Sequence, residues 1–340
     1  MANTEWYDKN HSNDPSALQG RDSDGKFTTD TMGGTKESDV IKKFFRKSGE
    51  NLITIRDAQE LVDIDEDDFE AWIRSWEKEN SIVNDVDDMD QQEMVEEIRS
   101  LRDELESNFD FDYTTRGDSA FGDVKSTLCN LRALKKVSSE FPLYKKIVIK
   151  SFNRPSSPVA GFSQSAISPL SGTMEIINIE INRAFFTNSD TITQKKTMLQ
   201  TEGYYVKTEG TEGALSQTMC HEYGHCVSSN LFRMAMDNDD DIRAVREQLG
   251  NASSMLEKIQ AADKFKTLVK RKRNKFSKDI MDKVRDIVGK EQFDKDTSEY
   301  GKIKAEENLA EMFSSYYCGA PSPSSEELIK ILKEMISQWH

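Results

Sequence analysis

The residues best suited to chemistry lie in one stretch, Cys-His-Glu-Tyr-Gly-His-Cys, at positions 220–226. If this stretch is helical, His221 and His225 are four residues apart and share a face, so both imidazoles can reach one metal ion. Zinc is the expected metal, because two imidazoles and a carboxylate leave a fourth position open for water. Glu222 would lie beside that water and take its proton. Apolar residues recur on both sides of the motif, as a buried helix requires.

The motif supplies two ligands, so a third must come from another part of the chain. No third histidine follows His225 at the spacing found in zinc helices with three histidines, which makes a carboxylate on a later helix the expected ligand. Residues 306–313 carry glutamates in an amphipathic pattern, and Glu307 and Glu311 share a face because they are four residues apart. Spacing alone leaves Glu306, Glu307 and Glu311 as alternatives.

A second motif follows about 75 residues after the first: Tyr-Gly at position 300, then Glu-x-x-Ala-Glu-x-Phe from position 307. Placed after a His-Glu-aromatic-Gly-His helix, it resembles the gluzincin-type metallopeptidase domain of anthrax lethal factor, over residues 131–318. The resemblance implies that Glu307 is the third zinc ligand and that Glu311 is a supporting group that orients His221 or His225. It also implies that Tyr300 donates a hydrogen bond to the oxyanion or the leaving group.

The residues and the resemblance together predict a zinc metalloendopeptidase with one Zn²⁺ per chain, acting on a protein or peptide substrate. Related domains occur in bacterial toxins and in minor head proteins of phages. The alternatives are therefore a phage-head structural or assembly protein whose zinc site holds the fold, with phage head proteins as partners, and a toxin-type protease that acts on host proteins. An open fourth ligand position beside a groove would favour the peptidase.

Composition excludes several classes of protein. The net charge of −15 argues against nucleic acid as the main partner, since phosphate binding needs a basic surface. No apolar run approaches the length of a membrane span, and the first residues lack the basic and apolar regions of a signal peptide. Cytoplasmic synthesis is expected, with packaging into a virion or export by a non-Sec route as further fates. The four cysteines form no Cys-x-x-Cys pair, and Cys220 and Cys226 are expected to be small core residues.

Changes in composition along the chain predict its organisation. Residues 1–38 are polar and predicted to be a flexible tail, and 39–110 carry helical apolar stripes among acidic residues. The turn-rich segment 108–122 is predicted to be a linker. The catalytic domain is expected over 123–340, interrupted by a charged helical insert at about 237–296.

The fold class expected from these patterns is helix-rich α+β: a zincin-like domain with a small mixed sheet, preceded by an acidic helical region. Alternating residues predict a short strand at 147–149 and a longer one at 174–182, in which Ile177, Ile179 and Ile181 face one way. An edge strand near the zinc helix could bind an extended peptide by adding a strand to the sheet. A basic cluster at 270–273 is expected to be a solvated helix face or a contact with the acidic N-terminal region, rather than a nucleic-acid contact.

Overall fold

The sheet that supports the site begins at a segment where the sequence predicts only a linker. In the computed structural model, which describes residues 85–157, 159–167 and 174–338, strand β1 (Phe109–Phe111) pairs in parallel with β2 (Ile147–Phe152). Helix α2 (Val124–Glu140) connects them, as a parallel pair of strands requires. The linker prediction is therefore wrong for residues 109–111. The predicted tail and residues 39–84 of the acidic region lie outside the described residues.

Two further strands complete a small mixed sheet in the order β1-β2-β4-β3. Strand β4 (Met174–Asn182) runs parallel to β2, and β3 (Gly161–Ile167) runs antiparallel to β4 at the sheet edge. The helix-rich α+β class and the strand predicted at 174–182 are both confirmed.

One detail of the predicted strand is wrong, because β4 contains a bulge. Gln164 pairs with Asn178 and Ser165 pairs with Ile176, so Ile177 has no partner in the ladder. The extra residue shifts the alternation of side chains. Ile177 is consequently 39% exposed, whereas Ile176, Ile179 and Ile181 are buried.

Helices pack on this sheet and on one another. Besides α2 they are α1 (Gln91–Leu105), α3 (Ser189–Thr201), α4 (Gly210–Met236), α5 (Asp240–Asn251), α6 (Met255–Val288), α7 (Lys290–Asp296), α8 (Ala305–Tyr317) and α9 (Pro323–Ser337). The chain divides after residue 89 into two units, and all of these strands and helices belong to the second, residues 90–340. Helix α1 starts at the capping residue Asp90 and packs on α2. Arg132 of α2 forms ion pairs with Glu97 of α1 (2.7 Å) and with Glu212 of α4 (2.9 Å).

The central helix α4, which carries the histidine motif, is enclosed by neighbours: it packs on α2, α3, α8 and the strands β3 and β4. Tyr223 is fully buried and its hydroxyl donates a hydrogen bond to the carbonyl of Phe141 (2.7 Å). Cys220 and Cys226 are buried free thiols, which confirms the prediction that they are core residues. Within the described part of the chain, no helix combines the length and the apolar character needed to cross a bilayer.

The charged insert is a pair of antiparallel helices, α5 and α6, followed by the short α7. Asp239 caps α5 by accepting a hydrogen bond from the backbone N–H of Ile242 (3.0 Å). The same carboxylate pairs with Lys272 of α6 (2.6 Å), and Asp241 pairs with it too (2.8 Å). Part of the basic cluster at 270–273 thus neutralises the acidic turn at the start of the insert.

Candidate metal centre

The two histidines of α4 converge on one point, as their spacing predicts. The Nε2 atoms of His221 and His225 lie 3.1 Å apart, and the two rings are nearly perpendicular. Both side chains are largely buried, with about a tenth of their surface exposed. Two imidazole nitrogens this close could both bind one ion placed to the side of the line that joins them.

Helix α8 brings Glu307, and not its neighbouring glutamates, to the same point. Glu307 Oε2 lies 3.3 Å from His221 Nε2 and 3.4 Å from His225 Nε2. A zinc ion that holds each donor at about 2.0–2.1 Å in tetrahedral geometry separates the donors by about 3.3–3.4 Å. The three measured edges, 3.1, 3.3 and 3.4 Å, therefore form one face of a zinc-sized tetrahedron. Within the described ranges, this is the group of residues that could hold a metal ion.

The carboxylate of Glu307 also lacks the hydrogen bond that burial normally demands. Its Oε2 atom is buried and accepts no hydrogen bond, although both imidazole nitrogens lie within 3.4 Å. An unsatisfied buried oxygen is costly, and a cation between the three donors would satisfy it. Two imidazoles and one carboxylate form one of the donor sets found at catalytic zinc, so these residues fit the ion.

Glu311 contacts the ring nitrogen of His221 that does not face His225 and Glu307. His221 Nδ1 lies 3.2 Å from Glu311 Oε1, and since a carboxylate accepts, Nδ1 is the protonated nitrogen and Nε2 is free to bind a metal. Glu311 is itself fixed: its Oε2 accepts hydrogen bonds from the backbone N–H of Val206 (3.0 Å) and from Ser298 Oγ (3.1 Å). The side chain is 2% exposed. Glu311 thus fixes the orientation of the His221 ring.

Glu306 occupies the corresponding position beside the other histidine, but less closely. Its carboxylate lies 3.9 Å from His225 Nδ1 and forms an ion pair with Arg273 of α6. Arg273 also donates a hydrogen bond to Ser165 Oγ on β3 (2.7 Å). The sequence offers no reason to single out Arg273, because it is one of four basic residues in a row and only the packing of α6 shows which of them faces the site.

The charges of the site are arranged to attract a cation. Burial would raise the pKa of Glu307, but the adjacent imidazoles of His221 and His225 hold that pKa well below its usual range. Burial opposes the charging of His221, yet the nearby carboxylates of Glu307 and Glu311 outweigh it and raise the pKa of His221 to about 10. The surroundings of the two histidines thus favour a positive charge beside Glu307 and Glu311.

Tyr300 and Glu222 line a cavity next to the donor atoms. The Tyr300 ring lies 5.8 Å from the His221 ring, and burial together with the charge of Glu307 raises the pKa of its hydroxyl, which keeps it protonated as a hydrogen-bond donor. The next residue, Gly301, donates its N–H to Ser298 Oγ (3.0 Å), and a side chain there would come within 2.9 Å of Asn308. Glycine thus allows the Asn308 side chain to pack closely beside Tyr300.

A cavity of about 620 Å³ opens beside these groups. It is lined by His221, Glu222, Tyr300 and Glu311, and also by residues of α3 and of the segments 155–157, 159–161 and 204–205. A second cavity of about 820 Å³ lies at the other end of β3, between Ser165, Arg273 and Glu306. Strand β3 runs from the first cavity to the second.

No family model, curated protein or solved structure matches this chain. The geometry of the site and the chemistry of its residues therefore carry the functional argument.

Proposed function

We propose that this chain is a zinc-dependent metallopeptidase, with His221, His225 and Glu307 as its metal ligands. The observation that carries the proposal is the triangle of donor atoms, with edges of 3.1–3.4 Å, next to a cavity that also contains Glu222 and Tyr300. Zinc bound there would lower the pKa of a water molecule and polarise a peptide carbonyl.

The chain's own residues would perform the proton transfers and stabilise developing charge. Glu222 takes the proton of the attacking water and delivers it to the leaving amine. Tyr300 remains protonated and donates a hydrogen bond to the negative charge that develops on the carbonyl oxygen. Glu311 fixes the ring of His221, so that its Nε2 keeps its direction throughout the reaction.

Strand β3 offers a place for the substrate backbone. It is an edge strand of the described sheet, so alternate N–H and C=O groups face away from β4, and an extended peptide could pair with them. Its two ends line the two cavities, which would receive side chains on either side of the cleaved bond.

The cavity beside the donors favours hydrolysis over a zinc ion that only holds the fold, because a structural site is closed by a fourth protein ligand. The phage-head and toxin contexts stay predictions from the resemblance to lethal factor. The first is a structural or assembly protein whose zinc holds the fold, the second is a protease that acts on host proteins, and both share the zinc ligands.

The test is zinc content and peptide hydrolysis measured together on wild type, Glu222→Gln and Glu307→Ala. We expect one zinc per chain in wild type and in Glu222→Gln, loss of zinc in Glu307→Ala, and cleavage of a mixed peptide library by wild type alone. Removing the base should slow cleavage about 10²–10⁴-fold. Retained turnover in Glu222→Gln would refute the role of that residue, and stoichiometric zinc without cleavage by wild type would refute the peptidase.

A further inference from the structure

A lysine is buried in the wall of the cavity beside the metal centre. Lys196 of α3 is 7% exposed, and its Nζ donates a hydrogen bond to Thr218 Oγ1 (3.1 Å) on α4. Both residues line the cavity that also contains His221 and Glu222. A cation is thus held at the wall of the space into which a substrate would enter.

The surroundings of Lys196 do not neutralise this charge. Among the described residues, none places a carboxylate oxygen within 4.0 Å of Nζ, and burial lowers the pKa of Lys196 to about 8. The charged or ionisable groups that face it are Glu311, whose carboxylate is already occupied by three other donors, and the thiols of Cys220 and Cys318. The Phe186 ring, 5.6 Å from Nζ, adds only a weak attraction. A buried ammonium whose hydrogen-bond partner is a neutral hydroxyl is unfavourable unless another group completes its coordination.

Much of the cavity wall near Lys196 is apolar or aromatic. Ile192 and Leu199 of the same helix line it together with Phe185 and Tyr204. A cavity with a largely apolar wall and a buried cation recognises an apolar stem that ends in a negative charge, because the charge-assisted hydrogen bond gains strength where water is excluded. A glutamate side chain has this shape, and so does the end of a peptide chain with its free carboxylate.

We propose that the cavity beside the metal centre binds a carboxylate of the substrate and that Lys196 is the residue that binds it. The inference rests on the proposed peptidase function for the identity of the ligand as a peptide. The carboxylate comes either from an acidic side chain next to the cleaved bond or from the free end of the chain. The first source makes the protein an endopeptidase selective for acidic residues, and the second makes it a carboxypeptidase.

The test compares binding of fluorescent alanine-based hexapeptides that differ at one position. Zinc-loaded Glu222→Gln protein is used, so that peptides bind without being cleaved. One series scans Glu, Gln and Leu along a peptide with both ends blocked, and the other compares a free with an amidated C-terminus. We expect the carboxylate peptide to bind about 10- to 100-fold more tightly than its amide, the range of a buried charged hydrogen bond.

The matched variants are Lys196→Met and Lys195→Met in the same background. Lys195 is the preceding residue, lines the same cavity and is exposed, with its Nζ above the Phe185 ring at 5.0 Å. We expect Lys196→Met to abolish the preference for the carboxylate and Lys195→Met to retain it. Preference in the blocked Glu series identifies a side-chain carboxylate, and preference confined to the free terminus identifies the chain end.

Three results would overturn the proposal. One is equal binding of carboxylate and amide peptides by Glu222→Gln protein, and another is no binding of any of them. The third is a loss of affinity in Lys196→Met that is the same for all peptides, which would mean that Lys196 supports Glu311 and does not contact substrate. Failure of the peptidase proposal is distinguishable, because the wild-type protein would then cleave none of the peptides while the carboxylate preference in binding persisted.

Discussion

The hydrogen bond between Glu311 and His221 allows the sharpest prediction about metal affinity. Glu311→Gln keeps the size of the side chain but replaces one acceptor oxygen with an NH₂ donor. The carboxylate accepts from three donors: His221 Nδ1 at 3.2 Å, the N–H of Val206 at 3.0 Å and Ser298 Oγ at 3.1 Å. A glutamine cannot accept from all of them, because only one of its two terminal atoms is an acceptor.

Either orientation of the new amide leaves a buried conflict. With its NH₂ toward His221, the imidazole must move its proton to Nε2, the nitrogen that faces Glu307, and can no longer bind a metal through it. With its NH₂ toward Val206, a buried backbone N–H loses its acceptor, which costs about 1–3 kcal/mol. Loss of such a supporting group lowers metal affinity about 10–100-fold, or about 1.4–2.7 kcal/mol, in agreement with this cost.

The assay is a competition titration against a fluorescent zinc chelator, with circular dichroism to verify that the metal-free variant is folded. Glu306→Gln is the matched control, since Glu306 flanks the other histidine at 3.9 Å, beyond hydrogen-bond distance. We expect zinc affinity to fall at least about tenfold in Glu311→Gln and to change less in Glu306→Gln. A zinc affinity of Glu311→Gln within twofold of wild type would refute the reasoning, and so would an equal loss in both variants.

Three further predictions concern the same centre. Gly224→Ala should weaken zinc binding, because its new methyl would lie 3.2 Å from Ala310 Cα and displace α8 at an overpacking cost of about 1–3 kcal/mol. The same methyl adds about 1 kcal/mol of helix propensity, so the metal-free protein should unfold near the wild-type temperature. Gly250→Ala, with open space around it, is the control. Tyr300→Phe should retain zinc and lower kcat about 10²–10³-fold; an unchanged kcat would remove Tyr300 from the reaction. Chelation should lower the unfolding temperature of wild type, because it removes about 4 kcal/mol from the free energy of unfolding if free zinc was 1,000-fold above its Kd. It should leave Glu307→Ala unaffected, and an equal response of both proteins would place the metal elsewhere.

The parts of the fold that follow from local sequence were predictable. The histidines at i and i+4 meet because a helix places them on one face, whatever surrounds it. The strand at 174–182 and the burial of Cys220 and Cys226 follow from composition and alternation. These features depend on neighbours in sequence.

The parts that depend on packing were not predictable from spacing. Which of Glu306, Glu307 and Glu311 faces the histidines depends on the rotation of α8 against α4, and the close contact of Gly224 with Ala310 and Phe313 fixes that rotation. Strand β1 has three residues, too few to show a period, and its place is set by pairing with β2. The bulge at Ile177 likewise appears only when β4 meets β3.

The helical insert α5–α7 lies in sequence between His225 and Glu307, two of the proposed metal ligands, and this affects how well the insert should tolerate shortening. A metal that joins His225 to Glu307 closes a loop of about 80 residues, most of which belong to the insert. The entropy of closing a loop grows only with the logarithm of its length, so shortening this one to about 25 residues would change the free energy of closure by about 1 kcal/mol. Contacts such as the ion pair of Arg273 with Glu306 should therefore affect metal affinity more than the length of the loop does. The insert could be replaced by a shorter crossover that preserves this contact, with little loss of metal affinity.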